Sequence, residues 1–183
     1  MNWEWRGPQA LLSVFAGLAE TLTVRILIAQ HMPPVFTGAL AKNIAKQSGR
    51  HCAEGKDGEL IKPGRVYVAP GNYHMVLVRH GADVRIRLNQ GPQENYCRPS
   101  ADPLLVSATE IYGANTLGLV LTGMGCDGAA GCKAVTRAGG TVIAQDQATS
   151  VVWGMPGAVA QNGLCSAVLA LDEIVGYLNK AVS

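Results

Sequence analysis

Short apolar runs of strand length, each closed by a turn and followed by a helix-length segment, predict an α/β protein. The expected architecture is a three-layer α/β/α sandwich around a doubly wound, largely parallel sheet, interrupted by an antiparallel β-meander. Three stretches carry that reading. Residues 117–129 (LGLVLTGMGCDGA) are apolar and β-branched up to Gly123, turn through Gly123, Gly125 and Gly128, and enter an Ala-rich segment. Residues 25–30 (RILIAQ) form a second buried-strand pattern, ended by His31-Met32-Pro33-Pro34, where two prolines forbid continuation. Between these, residues 66–69, 75–79 and 84–88 are β-rich runs separated by Pro70-Gly71-Asn72 and His80-Gly81-Ala82-Asp83, a spacing suited to a meander.

The remaining elements follow in order. Gly7-Pro8 reads as a turn feeding a helix with proline at its first position, reaching about Thr21, with Leu11, Leu12, Phe15, Leu18 and Leu22 on one side. A second helix is expected over residues 38–47. Asp102-Pro103 reads as the N-cap and first residue of a helix ending near Tyr112. The helix after the glycine turn stops at Gly139-Gly140, a left-handed cap. Residues 141–144 are a strand closed by Gln145-Asp146; Gly154-Met155-Pro156-Gly157 starts a short helix that Asn162-Gly163 stops. Residues 166–171 are a last strand, and Asp172 caps the terminal helix.

The chain has 183 residues, 48% of them hydrophobic and 15% charged, which suits one globular domain with a real core. A net charge of +2 without a Lys/Arg block gives no electrostatic reason to expect nucleic acid or an anionic membrane as partner. Five scattered cysteines (52, 97, 126, 132 and 165) include no CxxC pair, which argues against a metal site or disulfide framework and for a reducing compartment. Cys126, beside Asp127, reads as a small filler or a reactive thiol. Residues 10–19 could pass for a signal-peptide core, but their helical periodicity reads as an amphipathic helix of a cytoplasmic protein without membrane insertion.

Residues 123–128 match G-x-G-x-x-G between a strand and a helix, and Asp146 follows 18 residues past Gly128. That is close to a dinucleotide-binding fingerprint. The fingerprint offers bare N–H groups and a helix dipole to a pyrophosphate, and Asp127 inside the turn would repel that anion. The second reading pairs Asp127 with His31. Both follow apolar strands, so a parallel sheet places them on one crevice, where a carboxylate fixes the tautomer of an imidazole that acts as base. No cofactor or metal is expected.

Specific segments in order carry a family resemblance: GPQAL (7–11), AQHMPPVFTGALA (29–41), PGRVYVAPGNYHM (63–75), RPSADPL (98–104), LTGMGCDGAAG (121–131) and AQDQATSVVWGMPGAV (144–159). Residues 1–183 resemble the catalytic domain of the chemotaxis-receptor protein-glutamate methylesterases, the CheB family. The resemblance implies a cytoplasmic Ser-His-Asp hydrolase that removes methyl esters from glutamates of methyl-accepting chemotaxis receptors and often deamidates receptor glutamines. It assigns His31 as the catalytic histidine, Asp127 as its orienting aspartate and Met124 to the pocket, which Gly125 and Met155 are also expected to line. At the family's Ser-Thr-Gly-Gly-Pro elbow this chain reads Trp3-Glu4-Trp5-Arg6-Gly7-Pro8, which puts Glu4 at the nucleophile position, with the first strand truncated and no receiver domain ahead. A carboxylate has no proton to yield to a histidine, so weak or lost esterase activity is expected. A domain that docks on receptors without turnover is the binding-only alternative. Ser13, mid-helix, is a poor substitute nucleophile. Arg98 could contact substrate or sit on a solvated face; His74 follows the Pro70-Gly71-Asn72 turn and reads as the meander's edge, while His51 and His80 lie in polar loops with no partner in view. Trp153 with Met155 reads as packing, and Trp3 and Trp5 lack an apolar context.

Overall fold

The structure is a computed structural model and describes residues 6–181, so the expectations for Trp3, Glu4 and Trp5 lie outside the described residues. Two parallel three-stranded sheets form the framework. The first holds β1 (Ile26–Ile28), β2 (Cys52–Glu54) and β3 (Val66–Val68) in the order β1-β3-β2. After the hairpin β4 (His74–His80) and β5 (Asp83–Asn89), the second sheet holds β6 (Leu117–Val120), β7 (Thr141–Gln145) and β8 (Ala167–Leu169) in sequence order. Helices α1 (Arg6–Gly17), α2 (Pro34–Ser48), α3 (Ala101–Tyr112), α4 (Ala129–Arg137), α5 (Met155–Gln161) and α6 (Leu171–Ala181) cover them.

The α/β class and the parallel pairing are as expected, with two corrections to the topology. The run at Val66–Val68 is not part of a meander: it lies between β1 and β2, with Val66 in parallel register with both Ile26 and Cys52. All three of its residues are buried, the mark of a strand covered on both faces rather than one with alternating exposure. Its neighbour β2 went unread because three half-buried residues carry no periodic signal. Among the strands of the described residues, β4 and β5 are the antiparallel pair, from His74↔Asn89 to His80↔Asp83, and Gly81 at φ 61° supplies the left-handed position in their two-residue turn. Among the described residues no ladder joins β1 to β6. A cavity of about 360 Å³ lies between them, lined by Ile26, Ile28 and Leu119, with Val14 and Phe15 of α1 on one side and Leu104 of α3 on the other.

Several helix boundaries also differ, each for a local reason. Helix α1 ends at Gly17 rather than near Thr21, although Phe15, Leu18 and Leu22 are buried as its periodicity requires. The proline pair that ends β1 also opens α2, with Pro33 as N-cap and Pro34 at the first helical position, where a missing N–H costs nothing. Ser100, not Asp102, caps α3: its Oγ accepts from the Asp102 N–H at 3.2 Å. Asp172 falls inside α6, and Glu173 makes the cap contact instead by accepting from the Ala170 N–H.

Three apolar clusters fill the layers. The largest joins α1, α2 and α6 to the sheets, the second packs the hairpin on α3, and the third packs α4 and α5 on β6 and β7. One close approach sets the crevice beside β1. Gly71 donates its N–H to Thr37 Oγ1 at 3.1 Å, and a Cβ there would stand 2.4 Å from the Pro34 nitrogen. Backbone cannot yield as a flexible side chain can, so Gly71→Ala should cost about 1–3 kcal/mol. Thermal unfolding should show a Tm lowered by roughly 2–12 °C. Gly81→Ala, with open space around it, should cost only the left-handed penalty of about 1 kcal/mol.

Candidate active site

β1 and β6 both point their carboxyl ends at one crevice, and the side chains predicted to meet there do meet. His31 lies three residues past β1, and Asp127 sits in the turn between β6 and α4. His31 Nε2 is 2.6 Å from Asp127 Oδ2; the imidazole is about one-quarter exposed and the carboxylate is buried. With Nε2–H donating to the acid, Nδ1 is the nitrogen left for proton transfer.

Four further donors surround the carboxylate. Ser100 Oγ donates to Oδ1 at 2.6 Å, the Ala101 N–H to Oδ2 at 2.7 Å, Asn95 Nδ2 to Oδ1 at 3.2 Å and the Asp102 N–H to Oδ1 at 3.4 Å. The two backbone donors open α3, so the acid also lies at the positive end of that helix. Burial alone would push the Asp127 carboxyl up. The bonds from His31, Ser100 and Ala101, with the charge of His31, overturn this and hold it well below the ordinary carboxylate range.

Behind it lies a second buried carboxylate. Asp102 accepts from Asn95 Nδ2 at 2.9 Å and from the Gly131 N–H at 2.6 Å. Burial and the charge of Asp127 push it above the ordinary range, against those two bonds. The Gly131 N–H belongs to the first turn of α4, whose own N-cap Gly128 has no side chain to offer, so Asp102 caps that helix from across the crevice.

This arrangement bears on the dinucleotide reading. Asp127 fills the glycine turn, Asp102 takes an N–H at the start of α4, and Asp146 is spent locally, accepting from the Thr149 N–H and hydroxyl. A pyrophosphate would meet two carboxylates instead of bare donors. The turn itself is braced from below. The Gly123 N–H donates to the Val152 carbonyl, and the Gly154 and Met155 N–H groups donate to the Gly123 carbonyl. A Cβ on Gly154 would stand 2.7 Å from that carbonyl, so the 123–125 turn can approach only because glycine is there.

Of the three residues assigned to the pocket, Met155 lines the cavity, with its sulfur packed over Gly123. Met124 is 65% exposed in the turn, and Gly125, at φ 84°, makes the turn. Cys126 is exposed, its thiol 3.6 Å from Asn95 Oδ1. Arg98 is a clasp: its guanidinium donates to Asn72 Oδ1 and to the carbonyls of Gln90 and Gly91. His74 is buried with Nε2 bonded to the Pro92 carbonyl, while Ser13 Oγ donates along α1 to the Gln9 carbonyl. Trp153 packs on Gly157 and donates to the Gln145 carbonyl, as the packing reading requires. Sequence reasoning missed Ser100, Asn95 and Asp102. The Ser-Ala-Asp-Pro string hinted at a cap, whereas Asn95 offered no signal.

An imidazole–carboxylate pair at the carboxyl edge of a parallel sheet, on an α/β domain, has the geometry in which an acid orients a general base. A family model described as CheB methylesterase matches residues 5–178. The chain belongs to the CheB methylesterase family. It is 54% identical over 179 residues to a protein-glutamate methylesterase/protein-glutamine glutaminase of Azospirillum brasilense, covering 97% of this chain and 45% of that one. A group 2 operon relative of Bradyrhizobium diazoefficiens is 51% identical over 175 residues, covering 95% and 44%. The crystal structure of the Thermotoga maritima CheB methylesterase catalytic domain superposes with TM-score 0.93 at 40% identity, covering 96% of this chain and 93% of that one. The chain thus spans less than half the length of the curated relatives it matches.

The depressed Asp127 carboxyl carries a pH signature. A group whose folded pKa lies below its unfolded value stabilises the fold above about pH 4 and loses that contribution as pH falls toward the folded value. Asp127→Asn should therefore lower stability at pH 7 by about 3 kcal/mol. It should also shrink the difference in denaturant midpoint between pH 7 and pH 3, measured by urea melts across that range.

Proposed function

We propose that this chain is a cytoplasmic domain that takes glutamate side chains of chemoreceptors into the crevice at His31, and that it keeps the base and its orienting acid but not the attacking hydroxyl. The observation that carries the reading is the 2.6 Å bond between His31 and the buried Asp127. In a serine hydrolase of this kind the hydroxyl oxygen adds to the ester carbonyl while the imidazole takes its proton. The protonated imidazole then passes that proton to the departing methoxide, which leaves as methanol, and water cleaves the acyl-enzyme. Here the family motif aligns Glu4 with the serine. Its carboxylate holds no proton at neutral pH, and attack would produce an anhydride.

His31 Nδ1 can still draw a proton from water, a slow route without covalent catalysis. Loss of a serine nucleophile costs on the order of 10⁶ in rate. Methanol release from a methylated receptor fragment should therefore stay near the uncatalysed background and barely respond to His31→Ala. Turnover within tenfold of an intact relative, abolished by His31→Ala, would overturn the loss of the hydroxyl.

A second reading, docking without turnover, is favoured by the surface around the crevice. The exposed side chains of Val35, Tyr73, Tyr96, Met124, Val151 and Val152 all lie on segments that leave the same edge as His31 and Asp127 or border it. A collar of this kind suits a protein surface better than a small polar ligand. The double variant Tyr96→Ser/Met124→Ser should weaken binding of a chemoreceptor cytoplasmic fragment about tenfold, near 1.4 kcal/mol, by calorimetry, with an unchanged Tm. Equal affinity would remove the collar from the interface.

A further inference from the structure

We propose that Asn95 is a positioning residue: its amide is shared between two buried carboxylates, Asp127 and Asp102, and so holds Asp127 in line with His31. The inference rests on the reading of His31 and Asp127 as the working pair.

Asn95 Nδ2 lies 3.2 Å from Asp127 Oδ1 and 2.9 Å from Asp102 Oδ2, so each of its two protons has its own acceptor. The rest of the amide fixes which way it points. Oδ1 accepts from the Cys126 thiol, and a flipped amide would turn a carbonyl oxygen toward two carboxylates. Among the described residues no other side-chain donor touches both acids: Ser100 spends its single proton on Asp127 and accepts from the Asp102 N–H. Two carboxylates this close and this buried repel one another, and without a shared donor one of them would have to take up a proton or move. A neutral amide satisfies both without cancelling the negative charge that the imidazolium of His31 requires. A lysine in its place would cancel it.

The backbone supports the assignment independently. Asn95 has φ 51° and Tyr96 φ 63°, two consecutive non-glycine residues in the left-handed region. Asparagine tolerates that region better than most residues, and such conformations persist where the surroundings enforce them. The turn is closed by paired Glu94–Cys97 backbone bonds of 3.1 and 2.8 Å. Asp102 carries the link onward by accepting from Gly131 in α4, so one amide ties the 94–97 turn, the start of α3 and the start of α4 around Asp127. The ionisable groups facing the pair are His31, Glu94, Cys97, Cys126 and Cys132.

Asn95→Gly separates the amide from the turn, since glycine keeps the left-handed backbone while deleting the donor. Asn95→Asp keeps the shape and replaces the donor with a third carboxylate, and it serves if the glycine variant fails to fold. The readout is NMR of the full chain: the ring nitrogens of His31 and the carboxyl carbon of Asp127, followed against pH. In Asn95→Gly the proton affinity of Asp127 should rise tenfold or more and the Nε2–H tautomer of His31 should lose population. Asn95→Asp should raise the proton affinity of Asp127 further, with circular dichroism of both variants unchanged at pH 7. Titration curves that superimpose on those of the parent would overturn the proposal. Failure of the ester assay bears on the hydrolase reading alone and leaves these curves untouched, so the two outcomes are distinguishable.

Discussion

Everything at this crevice depends on keeping one buried carboxylate charged. Asp127 is removed from water, and an isolated carboxylate so placed would protonate and cease to orient anything. The fold answers with five donors from three parts of the chain: the His31 ring after β1, the Asn95 turn, and the Ser100 side chain with two N–H groups opening α3. These requirements explain features that otherwise look unrelated. Ser100 caps α3 and feeds the acid with the same hydroxyl. Asp102, displaced from the capping role, reaches across to α4 and fixes the helix that follows the glycine turn.

The sequence made the strands flanking the site legible because both are short, apolar and ended by residues that cannot continue them. His31 and Asp127 were readable as a pair for the same reason: each follows such a strand, and parallel strands deliver their ends to one side. The network behind them was not readable. Asn95 lies in a polar loop where nothing periodic marks it, and its importance arises from a left-handed backbone and two partners at sequence distances of 7 and 32. The misplacement of Val66–Val68 has a similar origin. A three-residue apolar run carries no direction, and its pairing is decided by β1 and β2 lying to either side. The starts of α2 and α3 differ from expectation because Pro33-Pro34 and Ser100, neighbours of the residues that signal a stop and a cap, take those roles.

Membership of the CheB methylesterase family brings a fold match at TM-score 0.93 and relatives near 50% identity, but a family describes a chemistry only where the reacting atoms are present. This chain makes a useful separation. The His31–Asp127 pair is in bonding contact, whereas the chain ahead of Gly7-Pro8 reads Trp3-Glu4-Trp5-Arg6, and the proposal of a lost nucleophile turns on that stretch. Among the described residues no helix is long and apolar enough to cross a membrane, and no cluster of metal-binding side chains occurs.

The two half-sheets have a consequence for how this molecule can be monitored. His31 is carried by the β1-β3-β2 sheet and Asp127 by the β6-β7-β8 sheet, and among the described residues no ladder bridges the two. The contact between them therefore works as a gauge strung across a seam. A slip of about an ångström of one half against the other is small for side chains that merely pack, yet it would carry a 2.6 Å bond out of range. The imidazole of residue 31 thus reports on the register between the two sheets that meet at the crevice.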